Sequence, residues 1–391
     1  MTTADDPVSR ARELVPLVRE CADEAERERR LPQRLADAMA TAGLHRLAAP
    51  LSVGGGECDF RTQIETIETI AAADGAAGWT LMIGIENAGF LGAVLEPEVA
   101  RKVFADPGLI VAGALNPLGR ATRVDGGYLV SGQWPFASGC HNAGWFWGQC
   151  IEMEDDEPVQ NEAGATVMRE ALIPAAEFEI LDTWKVSGLC GTGSHDVRTT
   201  EVFVPDERMT SVFAGGLQLR EKGTLFRIPP FNRLAYNKVG VATGIARGAL
   251  DHFSDLAGKK LPRGSRKLLR DKVSVQLAVA EAETLLRSAR AFVFDAVDAV
   301  WRATEAGDEV SVEDRIVVHL ACTNACTASI RAVELVYAAA GTTANFQSSP
   351  LDRCMRDVRV VPQHIMVSPQ WAEVAGRVLL GLPGDSPFFN S

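Results

Sequence analysis

The order of secondary structure along the chain constrains the fold most strongly. Residues 8–112 and 230–382 carry apolar side chains at helical spacing, whereas residues 108–205 are richer in Gly, Thr and Val in short alternating runs. We therefore predict an α+β protein of three domains. These are an N-terminal helical domain (1–110), a central antiparallel β-barrel or sandwich (111–224) and a C-terminal four-helix bundle (225–391).

The two helical regions are predicted from their apolar periodicity. The segment Gly75–Leu95 is apolar almost all round, which indicates a buried helix. Two C-terminal segments run past about 25 residues, a length typical of helices packed in a bundle. The predicted helices are Arg10–Glu28, Pro32–Ala42, Phe60–Ala73, Gly75–Leu95, Pro97–Phe104, Ala235–Ala257, Gly264–Ala299, Glu313–Ala340 and Pro369–Leu380.

Turn residues between short apolar runs predict the strands of the middle region. Gly126 and Gly127 separate two such runs, which is a hairpin signal. The predicted strands are Thr122–Val124, Tyr128–Ser131, Trp145–Ile151, Thr166–Leu172, Phe178–Val186 and Val197–Val204.

Charge and hydropathy exclude several classes of function. The chain has 51 acidic and 39 basic residues, a net charge of -12. Nucleic acids and anionic lipids bind clustered Lys and Arg, so neither is an expected partner. No apolar run reaches the roughly 18 residues of a membrane span, and the N-terminus lacks the pattern of a secretory signal. We expect a cytoplasmic protein that acts on a small molecule.

The cysteines do not predict disulfides or a metal site. There is no CxxC pair, and without a secretory signal an even count of eight does not argue for pairing. His319, Cys322 and Cys326 have the spacing of one helix face. Core packing explains them better than zinc, because three-ligand sites on a single helix are uncommon.

The stretch GGYLVSGQWPFASGCHNAGW, residues 126–145, suits a flat conjugated ligand. The rings of Trp134 and Phe136 can cover a ring face, Ser138 can donate a hydrogen bond to a ring heteroatom, and Gly139 lets the backbone approach. The alternative from these residues alone is an aromatic-rich β core.

Two further stretches carry polar clusters. WKVSGLCGTGSHDV, residues 184–197, combines Gly and Ser turn positions with His195 and Asp196, and strand residues follow it, so it is not a phosphate-binding helix start. It also suits a β-turn whose Asp196 binds local amides. RDVRVVPQHIMVSP, residues 356–369, places Arg356 and His364 before the last predicted helix. A lone histidine is more often structural, but a loop between helices is a position from which it can act.

The three-part order and these motifs together resemble the acyl-CoA dehydrogenase fold over almost the whole chain. GQWPFASG resembles the strand in which a hydroxyl residue, here Ser138, sits beside the flavin N5. The resemblance implies a flavin site to which further residues contribute. It also implies a homotetramer, in which a neighbouring subunit completes the flavin site. The implied cofactor-binding residues are Trp134, Phe136, Ser138, Trp184, Ser187, Arg263, Gln276 and Arg356.

One departure from that family's pattern indicates the reaction. Acyl-CoA dehydrogenases use a Glu near the C-terminus as base, whereas this chain reads Val361-Pro362-Gln363-His364 there. The chain thereby resembles the branch of two-component flavin monooxygenases. The resemblance implies reduced FMN or FAD delivered by a separate reductase, O2 as co-substrate and a C4a-hydroperoxyflavin. His364 is then catalytic together with Ser138, and histidine suits acid–base work near neutral pH.

The sequence constrains the substrate less than it constrains the cofactor. Phenol-hydroxylating members of this branch pair a His with a Ser at positions that fall near Asn87 and Gly113. Glu86 and His141 complete the predicted substrate pocket, and the substrate class is a small aromatic, polycyclic or amine compound. Two alternatives stay open: an FAD-dependent desaturase acting on an acyl thioester, and a non-catalytic flavin- or ligand-binding protein. A hydrolase is not indicated, because no GxSxG motif is present.

Overall fold

The computed structural model describes residues 6–154, 156–213 and 219–386, and its N-terminal part is helical. Three of these helices begin at an Asp whose carboxylate accepts a hydrogen bond from the first turn. Asp6 accepts from the Ser9 N–H at 3.1 Å, and Asp74 accepts from the Ala77 N–H at 2.8 Å. The helices are α1 (Pro7–Glu28), α2 (Gln33–Thr41), α3 (Phe60–Ala71), α4 (Gly75–Val94) and α5 (Pro97–Val103).

The middle part forms one sheet. Its strands are β1 (Val111–Val124), β2 (Gly127–Trp134), β3 (Trp145–Glu154), β4 (Glu157–Pro158), β5 (Met168–Pro174), β6 (Glu179–Leu181), β7 (Asp196–Pro205) and β8 (Met209–Thr210). They lie in the order β6-β7-β2-β1-β3-β5-β8, with β4 paired to β3.

The predicted antiparallel barrel or sandwich is corrected to a mixed sheet. β1 and β3 are parallel, with Val111 opposite Trp145, and the other described pairs are antiparallel. The hairpin brings β2 back along one edge of β1. The chain then crosses to the other edge of β1, so β3 runs in the same direction as β1.

The C-terminal part is helical, as predicted, but three long helices dominate it and the others are short. The predicted helix Gly264–Ala299 begins only at Val273, because the preceding residues form turns in which Gly264 has φ +75° and the Asp271 carboxylate accepts from the Leu268 N–H at 3.2 Å. The helices are α6 (Thr224–Arg227), α7 (Pro230–Ala257), α8 (Val273–Ala306), α9 (Val312–Ala340), α10 (Pro350–Val358) and α11 (Gln370–Leu379).

Helices from both ends of the chain share one hydrophobic core. Ile67 of α3 and Met82 of α4 are buried in the same cluster as Val239 of α7 and Val333 of α9. α3 lies close to α7 because Gly244 has no side chain: a Cβ there would be 2.6 Å from the Ala71 Cβ. This shared core holds α4 and the C-terminal residues in fixed positions. The domain boundaries near residues 110 and 224 stay predictions.

Helix α9 is a core helix. The stretch Val312–Asn345 is long and apolar enough to cross a membrane by composition, and 67% of its apolar window is buried inside the molecule. His319 stacks on Trp371 with ring centroids 3.7 Å apart, and Cys322 and Cys326 are fully buried. No group of three or more His, Cys, Asp or Glu side chains in the part of the chain described above is arranged to hold a metal ion.

Buried His45 makes the stability of this core depend on pH. It is 1% exposed, and burial lowers its pKa from 6.5 to about 4. The unfolded chain therefore binds a proton at this residue below pH 6.5 that the folded chain does not bind until near pH 4. As the pH falls from 7 to 4.5, His45 should reduce the free energy of unfolding by about 2–3 kcal/mol.

Urea unfolding of wild type and His45→Leu at both pH values measures this contribution. The variant should lose less stability on acidification than wild type. His252→Leu, which replaces a half-buried histidine of α7 whose pKa burial also lowers, is the comparison variant and should lose more stability than His45→Leu and less than wild type. Equal losses for His45→Leu and wild type would contradict the prediction.

Candidate active site

A chain of buried hydrogen bonds surrounds Ser138, directly after strand β2. The Trp79 indole N–H donates to the Ser138 hydroxyl at 3.1 Å, and the Ser138 and Ser194 hydroxyl oxygens are 2.7 Å apart. The Ser194 and Thr192 hydroxyl oxygens are also 2.7 Å apart, and the Thr192 hydroxyl donates to the Leu189 carbonyl at 2.8 Å. The five residues are at most 8% exposed. They join helix α4, the end of β2 and the loop before β7.

The Leu189 end of this chain is held by helix α10. The Asp357 carboxylate accepts a hydrogen bond from the Leu189 N–H at 2.6 Å. Leu189 has φ +51°, a left-handed conformation that costs energy for a residue with a branched side chain and persists only when its surroundings hold it. Burial and the neighbouring Asp74 raise the pKa of Asp357 to about 7.

Two aromatic rings border the hydroxyl chain on its exposed side. Phe136 has φ +65°, and its side chain is 60% exposed. Its ring meets the edge of Trp184, with centroids 6.2 Å apart and an interplanar angle of 85°. The Trp184 indole N–H donates to the Leu189 carbonyl at 3.2 Å. An apolar ring surface therefore lies open beside buried polar groups, which suits a flat ligand with polar edges.

His364 also lies beside Trp79. The two ring centroids are 5.9 Å apart, with an interplanar angle of 59°. The His364 Nδ1 accepts a hydrogen bond from the Met366 N–H at 3.2 Å, so the neutral ring carries its proton on Nε2. Burial and the positive charge of Lys238 hold the pKa of His364 well below its ordinary value. At neutral pH the imidazole is thus uncharged, and Nε2–H is its donor.

Glu86 of the predicted substrate pocket is paired. The Lys238 ammonium donates to both Glu86 carboxylate oxygens, at 2.8 and 2.9 Å, and the two side chains are 3% exposed or less. Burial raises the pKa of Glu86, and the attraction to Lys238 opposes that shift. This pair connects α4 to α7, and a carboxylate so bound is not a free base.

The other predicted pocket residues lie apart. The Asn87 amide donates to the Val111 carbonyl at 2.9 Å, and a Cβ at Gly113 would lie 2.9 Å from the same amide nitrogen, so both residues fasten β1 to α4. His141 packs edge-on against His195, with centroids 5.1 Å apart, and opens onto a surface cleft of about 370 Å³ at the end of α1. Burial and the neighbouring His195 lower the pKa of His141 to about 4.

Two predicted cofactor-binding residues are engaged elsewhere. Trp134 is fully buried in the core of the sheet, where its N–H donates to the Gln149 carbonyl at 2.6 Å. Its ring has no face left for a ligand, and we reassign it to the core. The Arg356 guanidinium binds the carboxylates of Glu26 at 2.6 Å and Asp352 at 2.8 Å, and donates to the Ser187 carbonyl at 2.6 Å. Arg356 therefore anchors the loop that carries Ser187.

Two residues predicted to bind the flavin, Arg263 and Gln276, lie at the surface of the C-terminal part. Arg263 is exposed in the loop before α8, and Gln276 is exposed in the first turn of that helix, where its amide donates to the Arg270 carbonyl at 3.1 Å. Neither contacts the residues around Ser138 within this chain. Their contribution to a site there stays a prediction.

Comparison with known proteins identifies the family of the chain. A model of the acyl-CoA dehydrogenase N-terminal domain matches residues 10–96, and one of the acyl-CoA dehydrogenase C-terminal domain matches residues 237–369. Indole-3-acetate monooxygenase of Pseudomonas putida is 32% identical over 364 residues, 92% of this chain and 91% of that protein. The chain belongs to the acyl-CoA dehydrogenase family.

Other relatives place it in the monooxygenase branch of that family. The oxygenase component of an FADH(2)-dependent resorcinol hydroxylase of Rhizobium sp. is 31% identical and covers 96% of this chain and 94% of that protein. The crystal structure of 3-HSA hydroxylase from Rhodococcus sp. RHA1 superposes with a TM-score of 0.88 at 28% identity, covering 98% of both chains. The three-part acyl-CoA dehydrogenase fold predicted from the sequence is confirmed.

Four residues of this acyl-CoA dehydrogenase-like site were not predicted: Trp79, Thr192, Ser194 and Lys238. Trp79 lies in the helix that is apolar on every side, so periodicity does not indicate which way it points. A buried indole N–H needs an acceptor, and that was the available signal. Thr192 and Ser194 belong to the polar cluster of residues 184–197, to which the sequence assigned no hydroxyl chain. Lys238 in an otherwise apolar stretch implied a buried partner.

The Asp357 carboxylate should make stability depend on pH in the opposite sense to His45. Its pKa is raised from 3.8 to about 7, so the folded chain binds more protons than the unfolded chain between these values. The free energy of unfolding should therefore fall as the pH rises from 4 to 8, by up to about 4 kcal/mol for this group. Asp357→Asn keeps an acceptor for the Leu189 N–H and removes that dependence.

Urea unfolding at pH 5, 6.5 and 8 measures the effect. The stability of Asp357→Asn relative to wild type should improve steadily with pH. Asp255→Asn, at an exposed position of α7, should show no such trend. A constant difference between Asp357→Asn and wild type at the three pH values would contradict the prediction.

Proposed function

We propose that this protein is the oxygenase component of a two-component flavin-dependent monooxygenase, using reduced FMN or FAD from a separate reductase and O2. The observation that carries the proposal is the grouping of Ser138, Trp79 and His364 beside the open rings of Phe136 and Trp184. The buried Ser138 hydroxyl and the partly buried His364 imidazole both contact the same tryptophan. The exposed rings provide the adjoining apolar surface for a flat cofactor.

The residues present fit a flavin. Phe136 and Trp184 would cover part of the ring system, and the Ser138 hydroxyl would meet the flavin N5. Reduced flavin, when bound, supplies the electrons that activate O2. His364 would hold its Nε2 proton towards the reacting oxygen, because its Nδ1 is already occupied by the Met366 N–H. The surrounding buried residues would exclude water from these groups.

The alternatives have less support. A desaturase needs a carboxylate base, and Glu86, the carboxylate on the α4 side of Lys238, is held by both oxygens in an ion pair. A non-catalytic binding protein would not need a neutral histidine next to a buried hydroxyl chain. Anaerobic incubation with an artificial electron acceptor separates the classes, because substrate oxidation without O2 would favour the desaturase.

A small aromatic compound is the proposed substrate. Relatives are named for indole-3-acetate and resorcinol, which share an electron-rich ring. An electrophilic oxygen donor reacts preferentially with electron-rich aromatic rings. Indole-3-acetate and resorcinol are therefore the first compounds to test, with a flavin reductase, NADH and ¹⁸O2. One ¹⁸O atom in the product is the expected result, and turnover without ¹⁸O incorporation would overturn the proposal.

Replacing His364 tests its role as proton donor. His364→Ala should lower the rate of product formation at least 100-fold, because a positioned acid or base contributes about 10²–10⁴ in rate. Binding of reduced FMN, measured anaerobically by fluorescence, should change less than threefold. His252→Ala is the matched control, since His252 is a half-buried histidine of α7, and it should keep full activity. An unchanged product yield in His364→Ala would remove the assignment.

We further propose a homotetramer assembled through the start of α8. Leu261, Val273 and Leu277 are 59%, 67% and 65% exposed, and they surround Arg263 and Gln276. Such an apolar group on a surface supports association with another copy. Arg263 and Gln276 would then reach the flavin site of a neighbouring subunit.

Light scattering tests this assembly. Wild type should have four times the 42.0 kDa mass of one chain. Leu277→Glu should dissociate it and weaken binding of reduced flavin, because charge is introduced into the proposed contact. Leu118→Glu, at a 54% exposed position of β1, is the control and should stay assembled. A wild-type chain that is monomeric at micromolar concentration would contradict the proposal.

A further inference from the structure

The hydroxyl chain around Ser138 has only one arrangement of hydrogens that gives every contact a hydrogen bond. The Leu189 carbonyl can only accept, so the Thr192 hydroxyl donates to it. The Thr192 oxygen therefore accepts from Ser194, and the Ser194 oxygen accepts from Ser138. At the other end, the Trp79 indole nitrogen can only donate. The chain runs from Trp79 through Ser138, Ser194 and Thr192 to the Leu189 carbonyl.

This polarity determines what Ser138 can offer to a ligand. Its single hydroxyl hydrogen is used by Ser194, and one lone pair of its oxygen is used by Trp79. A second lone pair is left, so Ser138 is available as an acceptor and not as a donor. If Ser138 donated its hydrogen to a ligand, no hydrogen would lie between the Ser138 and Ser194 oxygens. These two oxygens, 2.7 Å apart, would then repel each other.

Hydrogen bonds at Leu189 fix the direction in which the hydroxyl chain donates its hydrogens. The Leu189 carbonyl also accepts from the Trp184 indole, and the Leu189 N–H is bound by the Asp357 carboxylate. These two bonds hold the peptide groups on both sides of Leu189 in one orientation, so the carbonyl stays directed at Thr192. Water does not compete, because Ser138, Thr192 and Ser194 are each no more than 5% exposed.

We propose that Thr192 and Ser194 make the site selective for reduced over oxidised flavin. Reduced flavin carries a hydrogen on N5, and the acceptor lone pair of Ser138 matches it. Oxidised flavin has only a lone pair on N5, which would face the lone pair of Ser138. This inference rests on the proposed function, in which Ser138 meets N5, and it reverses the expectation from the sequence that Ser138 donates.

Such selectivity suits an enzyme that takes its flavin from solution. A free reductase leaves reduced and oxidised flavin together in the same compartment. A site that accepts both equally would be occupied by the unreactive form. Thr192 and Ser194 would act through Ser138 and are therefore positioning residues.

Anaerobic titration with FMN and with dithionite-reduced FMN tests the proposal without any turnover. Wild type should bind reduced FMN at least tenfold more tightly than FMN. Ser194→Ala frees the Ser138 hydrogen, so the Kd for FMN should fall about tenfold while the Kd for reduced FMN changes less than threefold. Thr192→Val should shift the ratio in the same direction, and Thr192→Ser, which keeps the hydroxyl, should retain the wild-type ratio.

A buried hydroxyl outside the chain is the control. Thr199 of β7 is 5% exposed and bonds the Val130 carbonyl, so Thr199→Val should leave both Kd values unchanged. Variants of normal thermal stability that keep the wild-type ratio, or that lose affinity for both forms equally, would overturn the proposal. If wild type binds neither form, the proposed flavin function fails instead, and the two failures are thereby distinguished.

Discussion

The hydrogen bond from the Leu189 amide to the Asp357 carboxylate is the contact on which the rest of the site depends. It connects the loop before β7 to helix α10, and so joins the sheet to the C-terminal helices. It also holds Leu189 in a left-handed conformation in which its carbonyl accepts from both Thr192 and Trp184. Without this bond, the carbonyl that accepts from both Thr192 and Trp184 would not be held in place.

That contact is possible because helices from the two ends of the chain share one core. α4 is buried between the sheet and α7, and it brings Trp79 to a point where the end of β2 and the C-terminal loop converge. Ser138 and His364 are more than 200 residues apart in the sequence, and one tryptophan contacts both. The geometry of the site is therefore a consequence of packing in the helical core, and the sheet contributes its polar edge.

The sequence predicted the parts of this arrangement that local pattern controls. The helices and most strands follow from periodicity and turn residues, and Ser138 and His364 follow from family motifs. Trp134 was assigned to the flavin together with Phe136, but residues two apart share a face only while the strand alternation continues. The left-handed backbone at Phe136 ends that alternation, so Phe136 points outward while Trp134 stays in the core. Trp79 lay beyond prediction because its helix is apolar all round.

The two polar groups that contact Trp79, Ser138 and His364, are opposite in hydrogen-bonding character. The amide of Met366 occupies Nδ1 of His364, which leaves the imidazole a donor at Nε2. The hydroxyl chain uses the hydrogen of Ser138, which leaves that oxygen an acceptor. The Met366 N–H imposes the first outcome directly, and the Leu189 carbonyl imposes the second through the hydroxyls of Thr192 and Ser194. A flavin bound as proposed would meet a donor at His364 and an acceptor at Ser138, and this hydrogen-bonding requirement adds to the requirement of shape.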